Sequence, residues 1–203
     1  MEIVLMRVKE GAKEQAILTA AVKVFAQRGY HDAKISSIAE KAKVATGSVY
    51  LYFPSKEEII LRIFNDLWAK LSADLKTTAQ RTDLHPAEKL DYVIDLMFDA
   101  FTMNPSLALV FVNEQNHLIR EGKGNVGRFF EEFQKLAEEI VRDGVRKKVF
   151  NPNVDIMLLR HFITGGLRTL LHLWAQRQDE IPLNRIRQHV KYITKHGVLL
   201  DHS

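Results

Sequence analysis

Apolar positions recur with a helical period along nearly the whole chain, and no stretch alternates with the period of two that a half-buried strand needs. Ile17, Ala21, Val24 and Phe25 mark a first helix, which Gly29 ends after Arg28 in the manner of a C-cap glycine. Ile35, Ile38, Ala39 and Ala42 fall at i, i+3, i+4 and i+7 on one side of a second helix, and Lys43-Val44-Ala45 interrupts it. A third, short helix from about Thr46 to Phe53 turns Val49 and Phe53 inward. Pro54 stops it, and Ser55 with Glu58 three residues on forms a capping box for a fourth.

The fourth helix runs from about Lys56 into the seventies, with Ile60, Ile63, Leu67 and Leu71 on one stripe. Pro86 opens a fifth, carrying Leu90, Ile94, Met97, Phe98 and Phe101, and Asn104-Pro105 starts a sixth with the apolar run Leu107 to Val112. After the loop Glu121 to Asn125, a seventh helix turns Phe130, Phe133, Ala137, Ile140 and Val141 inward. It leaves Glu131, Glu132, Glu138 and Glu139 as a solvated face. Asn151-Pro152-Asn153 breaks the chain again, the eighth helix spans about Val154 to Gln176, and Pro182 begins a ninth with Leu183, Ile186, Val190 and Ile193. The fold class is all-α, with nine helices, no internal repeat and no low-complexity tract.

The third helix carries the most telling chemistry. Its outer face offers Thr46, Gly47, Ser48, Tyr50 and Tyr52: hydroxyls, an aromatic pair, and a glycine that lets backbone come close to another surface. Hydroxyl side chains and backbone N–H groups at a helix start are what proteins use to hold phosphates, and a DNA major groove admits a helix of this size. Ser36 and Ser37, at the start of the second helix, and Lys56, at the start of the fourth, complete the expected DNA-contacting set. The alternative is that the tyrosines only pack a small helical subdomain.

From Gly29-Tyr30 through Ile38-Ala39, Gly47, Val49-Tyr50, Tyr52-Phe53 and Ser55-Lys56-Glu57, the chain closely resembles the DNA-binding domain of TetR-type transcriptional repressors. Two positions depart from that pattern: Lys34 stands where the family usually caps the second helix with Thr or Ser, and Thr46 where a basic residue often meets phosphate. The resemblance implies a helix-turn-helix DNA-binding domain over residues 1–56, followed by a helical ligand-binding and dimerisation domain over 57–203. It also implies a double-stranded operator as partner, bound by a homodimer. One short helix reads few base pairs, and a two-fold pair doubles the site.

In the resembling family the last two helices of each subunit form a four-helix dimer interface. Ile156, Leu159, Ile163, Leu167, Leu170 and Trp174 make one stripe of the eighth helix, while Leu158, Phe162, Leu171 and Leu173 lie off it. A helix apolar over so much of its circumference is buried on more than one side. Gly165 and Gly166 in its middle cost about 1 kcal/mol each relative to Ala, tolerable where another helix comes close. The expected interface is Gly165, Gly166, Leu170, Ile186, Val190 and Ile193; a monomeric core around the eighth helix is the competing reading.

Net charge refines the picture. The chain of 203 residues is +4 overall. Its first 56 residues hold the basic Arg7, Lys9, Lys13, Lys23, Arg28, Lys34, Lys41, Lys43 and Lys56 against the acidic Glu2, Glu10, Glu14, Asp32 and Glu40. All the excess therefore lies on the segment expected to meet DNA. No cysteine is present, which removes disulfides, thiolate metal sites and cysteine nucleophiles and suits a reducing cytoplasm. No run approaches the roughly 18 apolar residues that span a bilayer, and MEIVLMRVKEGAKE is too charged for a signal peptide, so no membrane partner is expected.

Enzyme chemistry finds little support: there is no G-x-S-x-G elbow, no phosphate-cradling glycine loop and no H-E-x-x-H. Glu114 and His117 match one Glu-x-x-His element where a di-iron bundle needs two, and His161 and His172 lie too far apart to share an ion. Neither a metal nor a cofactor is expected. The aromatic residues of helices five to eight, which enclose the inducer cavity in TetR-type proteins, suggest a small hydrophobic effector. The expected contacts are Met97, Phe98, Phe101, Phe111, Phe133 and Trp174, with Arg120 and beyond it Lys123 and Arg128 for an anionic head. The segments VFVNEQNHLIREG and HFITGGLRTLLHLWA further resemble the fatty-acid-degradation repressors of the family, which respond to long-chain acyl-coenzyme A (acyl-CoA). The reading is a cytoplasmic, ligand-responsive repressor; the rivals are a multidrug-type regulator with a promiscuous pocket and a helical enzyme with a vestigial DNA-binding domain.

Overall fold

Three helices wrap the first part of the core, a fourth carries that core onward, and five more enclose the rest of it. The computed structural model describes residues 2–199, with side chains from residue 11. The elements are α1 (Glu2–Asp32), α2 (Ile35–Ala42), α3 (Thr46–Tyr52), α4 (Lys56–Ala79), α5 (Pro86–Thr102), α6 (Pro105–Arg120), α7 (Val126–Arg146), α8 (Ile156–Gln176) and α9 (Leu183–Val198). Among the described residues the one extended pairing is an isolated bridge between Phe150 and Leu199. The all-α, nine-helix expectation therefore stands.

Helix boundaries follow local chemistry. Gly29 has φ 75° and ψ 160°, so α1 breaks there, a conformation open to glycine and strained for most other residues. Lys34 and Ala45 precede α2 and α3 in extended conformation, and neither gives a side-chain cap. Elsewhere caps are built: Ser55 Oγ accepts from Glu58 N at 3.2 Å, Asn104 from Leu107 N at 3.2 Å and Asp155 from Leu158 N at 3.0 Å. His85 and Glu88 form a reciprocal capping box before Pro86, which the sequence alone did not announce.

Ile17, Ala21, Ile38, Ala39 and Val49 are fully buried, with Val24, Phe25 and Phe53 close to it. These are the residues the helical stripes pick out, and they lock α1, α2 and α3 together. The core continues along α4 through Ile59, Ile60, Phe64, Trp68 and Leu75, and α4 packs more extensively on α7 than on any other helix. A second, smaller cluster joins Leu90, Val141, Phe150 and Val198. There the Phe150 ring lies so close over Gly144 that an added Cβ would fall 2.1 Å from Phe150 Cδ2. Helices α5 and α6 meet at a 110° bend, and no single described helix is long and apolar enough to cross a membrane.

Candidate DNA-contacting face, effector cavity and dimer face

Most of the residues that the sequence assigns to DNA lie on the outward side of the first three-helix unit, with two exceptions. Thr46 and Gly47 are exposed, Ser48 is half-buried, and Tyr50 is 52 % exposed. Leu51 beside it is 84 % exposed, an apolar group facing outward that sequence reasoning passed over. A Cβ added to Gly47 would touch nothing in this chain, so its smallness answers to no neighbour within the subunit. Ser36 is exposed, and Ser37 receives a hydrogen bond from Arg28 Nη1 at 3.3 Å. Lys34, Lys41 and Lys43 are exposed around them, and Lys43 takes a left-handed φ of 57° to end α2.

The first exception is Tyr52, which is half-buried and packs on the core instead of pairing outward with Tyr50. Residues two apart on a helix lie about 200° apart around its axis, so Tyr50 and Tyr52 cannot point the same way. The second is Lys56. Its ammonium donates to the carbonyls of His31 at 2.7 Å and Ala33 at 3.0 Å and sits 4.7 Å over the Tyr30 ring. It therefore clamps the end of α1 to the start of α4 in addition to any part on DNA. Burial, and then the nearby Glu57 carboxylate, push the Tyr30 phenol up from its ordinary value.

Between α5, α7, α8 and α9 lies an almost wholly apolar cavity of about 90 Å³. Of the expected ligand contacts, Met97 and Phe133 line it. Phe98, Phe101, Phe111, Arg120 and Trp174 do not, and each has another role. The Phe101 and Phe111 rings pack at a tilt, 4.9 Å apart, within an aromatic core that includes Phe64 and Trp68. Phe98 is fully buried with the Arg187 guanidinium 5.8 Å from its ring, and Trp174 is buried in the core. Arg120 is exposed at the end of α6, 3.5 Å from His117 Nδ1.

The two cations proposed beyond Arg120 are likewise placed elsewhere. Lys123 pairs with Glu57 at 2.6 Å and Glu121 at 2.8 Å, and Arg128 lies over the Phe129 ring. The cavity's own walls include residues the sequence reading missed. Trp68 lines it, fixed by a hydrogen bond from its indole to Gln115 Oε1 at 3.2 Å. Glu138, expected on the solvated face, also lines it and pairs with Arg160 of α8 at 2.8 Å. An (i, i+3, i+4) stripe finds apolar walls; it does not reveal a carboxylate drawn inward by an arginine on another helix.

The exposed side of α8 and α9 forms the third feature. Met157, Leu158 and Phe162 on α8 are 55 %, 60 % and 68 % exposed, and Tyr192 and Ile193 on α9 are 62 % and 55 % exposed. Gly165 and Gly166 are also exposed, and nothing in the chain lies within 4 Å of a Cβ at either, so no contact inside this subunit explains them. Leu170 is half-buried. Ile186 and Val190, expected at the dimer interface, are instead buried in the subunit's own core. Residues 186, 190 and 194 share one side of α9, and that side faces α5; Ile193 lies at the edge of that side and is 55 % exposed.

Among the described residues no group of three or more potential metal ligands occurs, and His117 lies 3.2 Å from Glu121 at the surface.

The sequence model described as bacterial regulatory proteins, tetR family, matches residues 17–63, and that described as tetracyclin repressor-like, C-terminal domain, matches residues 83–178. The fatty acid metabolism regulator protein of Bacillus subtilis is 26 % identical over 190 residues, covering 92 % of this chain and 95 % of that protein. Among solved structures, the fatty acid degradation regulator FadR of Bacillus halodurans superposes with a TM-score of 0.79 at 26 % identity, covering 91 % of this chain and 95 % of that one. The transcriptional regulator FadR of Bacillus subtilis, solved in complex with stearoyl-CoA, superposes with a TM-score of 0.77 at 25 % identity, covering 90 % and 98 %.

Proposed function

The chain belongs to the tetR family of bacterial regulatory proteins and is a transcriptional regulator, not an enzyme; we propose that it represses from a two-fold symmetric operator as a cytoplasmic homodimer and leaves that DNA on binding a long-chain acyl-CoA. The observation that carries the effector half is the apolar cavity between α5, α7, α8 and α9, in a chain similar over 90 % of its length to a regulator solved with stearoyl-CoA. The DNA-binding unit is the helix-turn-helix within residues 1–56. Tyr50, Ser48 and Leu51 reach base edges, while Ser36, Thr46, Lys34 and Lys43 face phosphates. Exposed Phe162, Gly165, Gly166 and Ile193 supply the contact with a second copy, since large apolar side chains left exposed along both α8 and α9 suit burial against a partner.

Cavity size gives the switch its mechanism. About 90 Å³ is well below the roughly 300–1,000 Å³ of small-molecule sites, so a long acyl chain enters only if α7 and α8 spread. Helix α7 lies along α4, and α4 is tied at its start to the helix-turn-helix through Lys56. The ligand therefore favours a state in which the two DNA-contacting units no longer match adjacent major grooves, about 34–36 Å apart. Selecting bound duplexes from a random-sequence pool tests the DNA half. The expected winners are palindromes whose half-sites lie one helical turn or a multiple apart, and enrichment of no sequence, or of single half-sites bound by monomer, would count against it.

A further inference from the structure

We propose that Arg160 is the receptor for the effector's polar head and that Glu138 occupies it until the effector arrives. This rests on the effector reading above and names the chemistry the cavity selects: an apolar chain ending in a hydrogen-bond-accepting or anionic group, entering at the seam between α7 and α8.

The geometry of the seam supports the assignment. Glu138 of α7 and Arg160 of α8 both line the cavity, and their 2.8 Å contact joins the two helices across it. Glu138 is further held by Arg142 at 3.4 Å. The pair is only partly exposed, Arg160 at 32 % and Glu138 at 18 % of the side chain, so it sits at the boundary between solvent and the apolar interior. Arg160 Nη2 also lies 3.4 Å from His161 Nε2, and the guanidinium is still not saturated. Its Nε is buried and has no hydrogen-bond partner, and a guanidinium has five N–H donors arranged to grip a carboxylate or carbonyl oxygens. A buried donor left without a partner is unfavourable, and an incoming acceptor relieves that. The Thr194 hydroxyl, in a residue 3 % exposed on the same cavity wall, is also without a partner. Two polar groups in the wall of a largely apolar space thus lack partners.

Competition follows directly. An anionic or carbonyl head takes the guanidinium from Glu138, the bridge between α7 and α8 opens, and the helices can part to admit the chain. A cationic head of equal length would instead be repelled by Arg160 and meets Glu138 only after the pair is broken. Specificity therefore resides in the sign of the head as well as the length of the tail.

The test is the affinity of the full-length protein for a fatty acid, an acyl-CoA and a primary alkylamine of equal chain length, measured by calorimetry. Wild type should bind the acid and the thioester about tenfold or more tighter than the amine. Arg160→Met should remove that preference or reverse it, because the unpaired Glu138 then welcomes a cation. Glu138→Gln, which leaves the guanidinium free, should strengthen acid binding several-fold. Arg160→Met weakening acid and amine alike would assign the arginine to helix packing and overturn the proposal, as would an unaltered preference in both Arg160→Met and Glu138→Gln. Wild type binding none of the three probes would remove the acyl effector itself, a failure distinct from a bound acyl-CoA whose head is indifferent to Arg160.

Discussion

Lys123 Nζ lies 2.6 Å from Glu57 Oε1, so a lysine in the loop after α6 is joined to the first turn of α4. The same nitrogen meets Glu121 Oε2 at 2.8 Å, and the hydrogen bonds it donates to Glu121 and then to Glu57 push the Lys123 ammonium well up from its ordinary value. Lys123 in turn holds the Glu121 carboxyl below its ordinary 4.5. Because Glu121 is depressed in the folded protein, its contribution is present above the unfolded value and is lost as pH falls through the folded one. The tie is thus intact at neutral and alkaline pH.

Lys123→Met should leave the melting temperature nearly unchanged, since exposed ion pairs contribute little to stability. The variant should need several-fold more effector for half-release of DNA, because one route from the effector domain to α4 is cut. An effector titration of a fluorescent duplex measures this; an unaltered midpoint would show that the contact carries no signal.

Lys43 ends α2 in a left-handed conformation that glycine adopts more readily. Lys43→Gly should therefore fold at least as well as wild type while lowering the salt slope of DNA binding by about 0.9. Tyr50→Ala, by contrast, should weaken binding with little change in slope. Salt-dependent affinity measurements on both variants separate a phosphate contact from a base contact.

Lys56→Met removes two hydrogen bonds to carbonyls that join α1 to α4. Charged hydrogen bonds of this kind contribute about 1.5–3 kcal/mol each at most, so a loss of about 1–3 kcal/mol of stability is expected. Chemical denaturation measures it. Wild-type stability with weakened DNA binding would make Lys56 a phosphate contact alone.

Phe162→Glu and Ile193→Glu should give monomers that keep their helical content, whereas Val190→Glu should unfold the subunit, because Val190 is 9 % exposed and Phe162 68 %. A buried, unpaired carboxylate is unfavourable by several kcal/mol. Sedimentation together with circular dichroism distinguishes the three; a dimer surviving both surface charges would place the interface elsewhere.

The contrast between Ile193 and Val190 also shows how far the sequence could be read. Helical stripes located all nine helices and the buried faces of α1 to α4, because 3.6-residue periodicity reports which side of a helix is apolar. Periodicity does not say whether an apolar side meets its own subunit or another copy, so Ile186 and Val190 were placed outside when they lie within. The effector residues erred for a related reason. Phe98, Phe101 and Phe111 are as apolar as any cavity wall, but Phe101 and Phe64 both meet Phe111 and Phe98 is buried against Arg187, and only three-dimensional packing separates a filled core from an open one. Arg160, Glu138 and Thr194 line the cavity as polar residues in a helical stripe that reads as interior or surface according to partners distant in sequence.

Release of DNA by acyl-CoA of increasing chain length tests the central claim most directly. Each buried methylene contributes roughly 0.8 kcal/mol before ordering costs, so the half-release concentration should fall steeply with length and level off once the widened cavity is full. An aromatic cationic dye at the same concentrations should leave the complex intact. Release by the dye with no dependence on acyl length would contradict the account and make this a regulator of a different class of ligand.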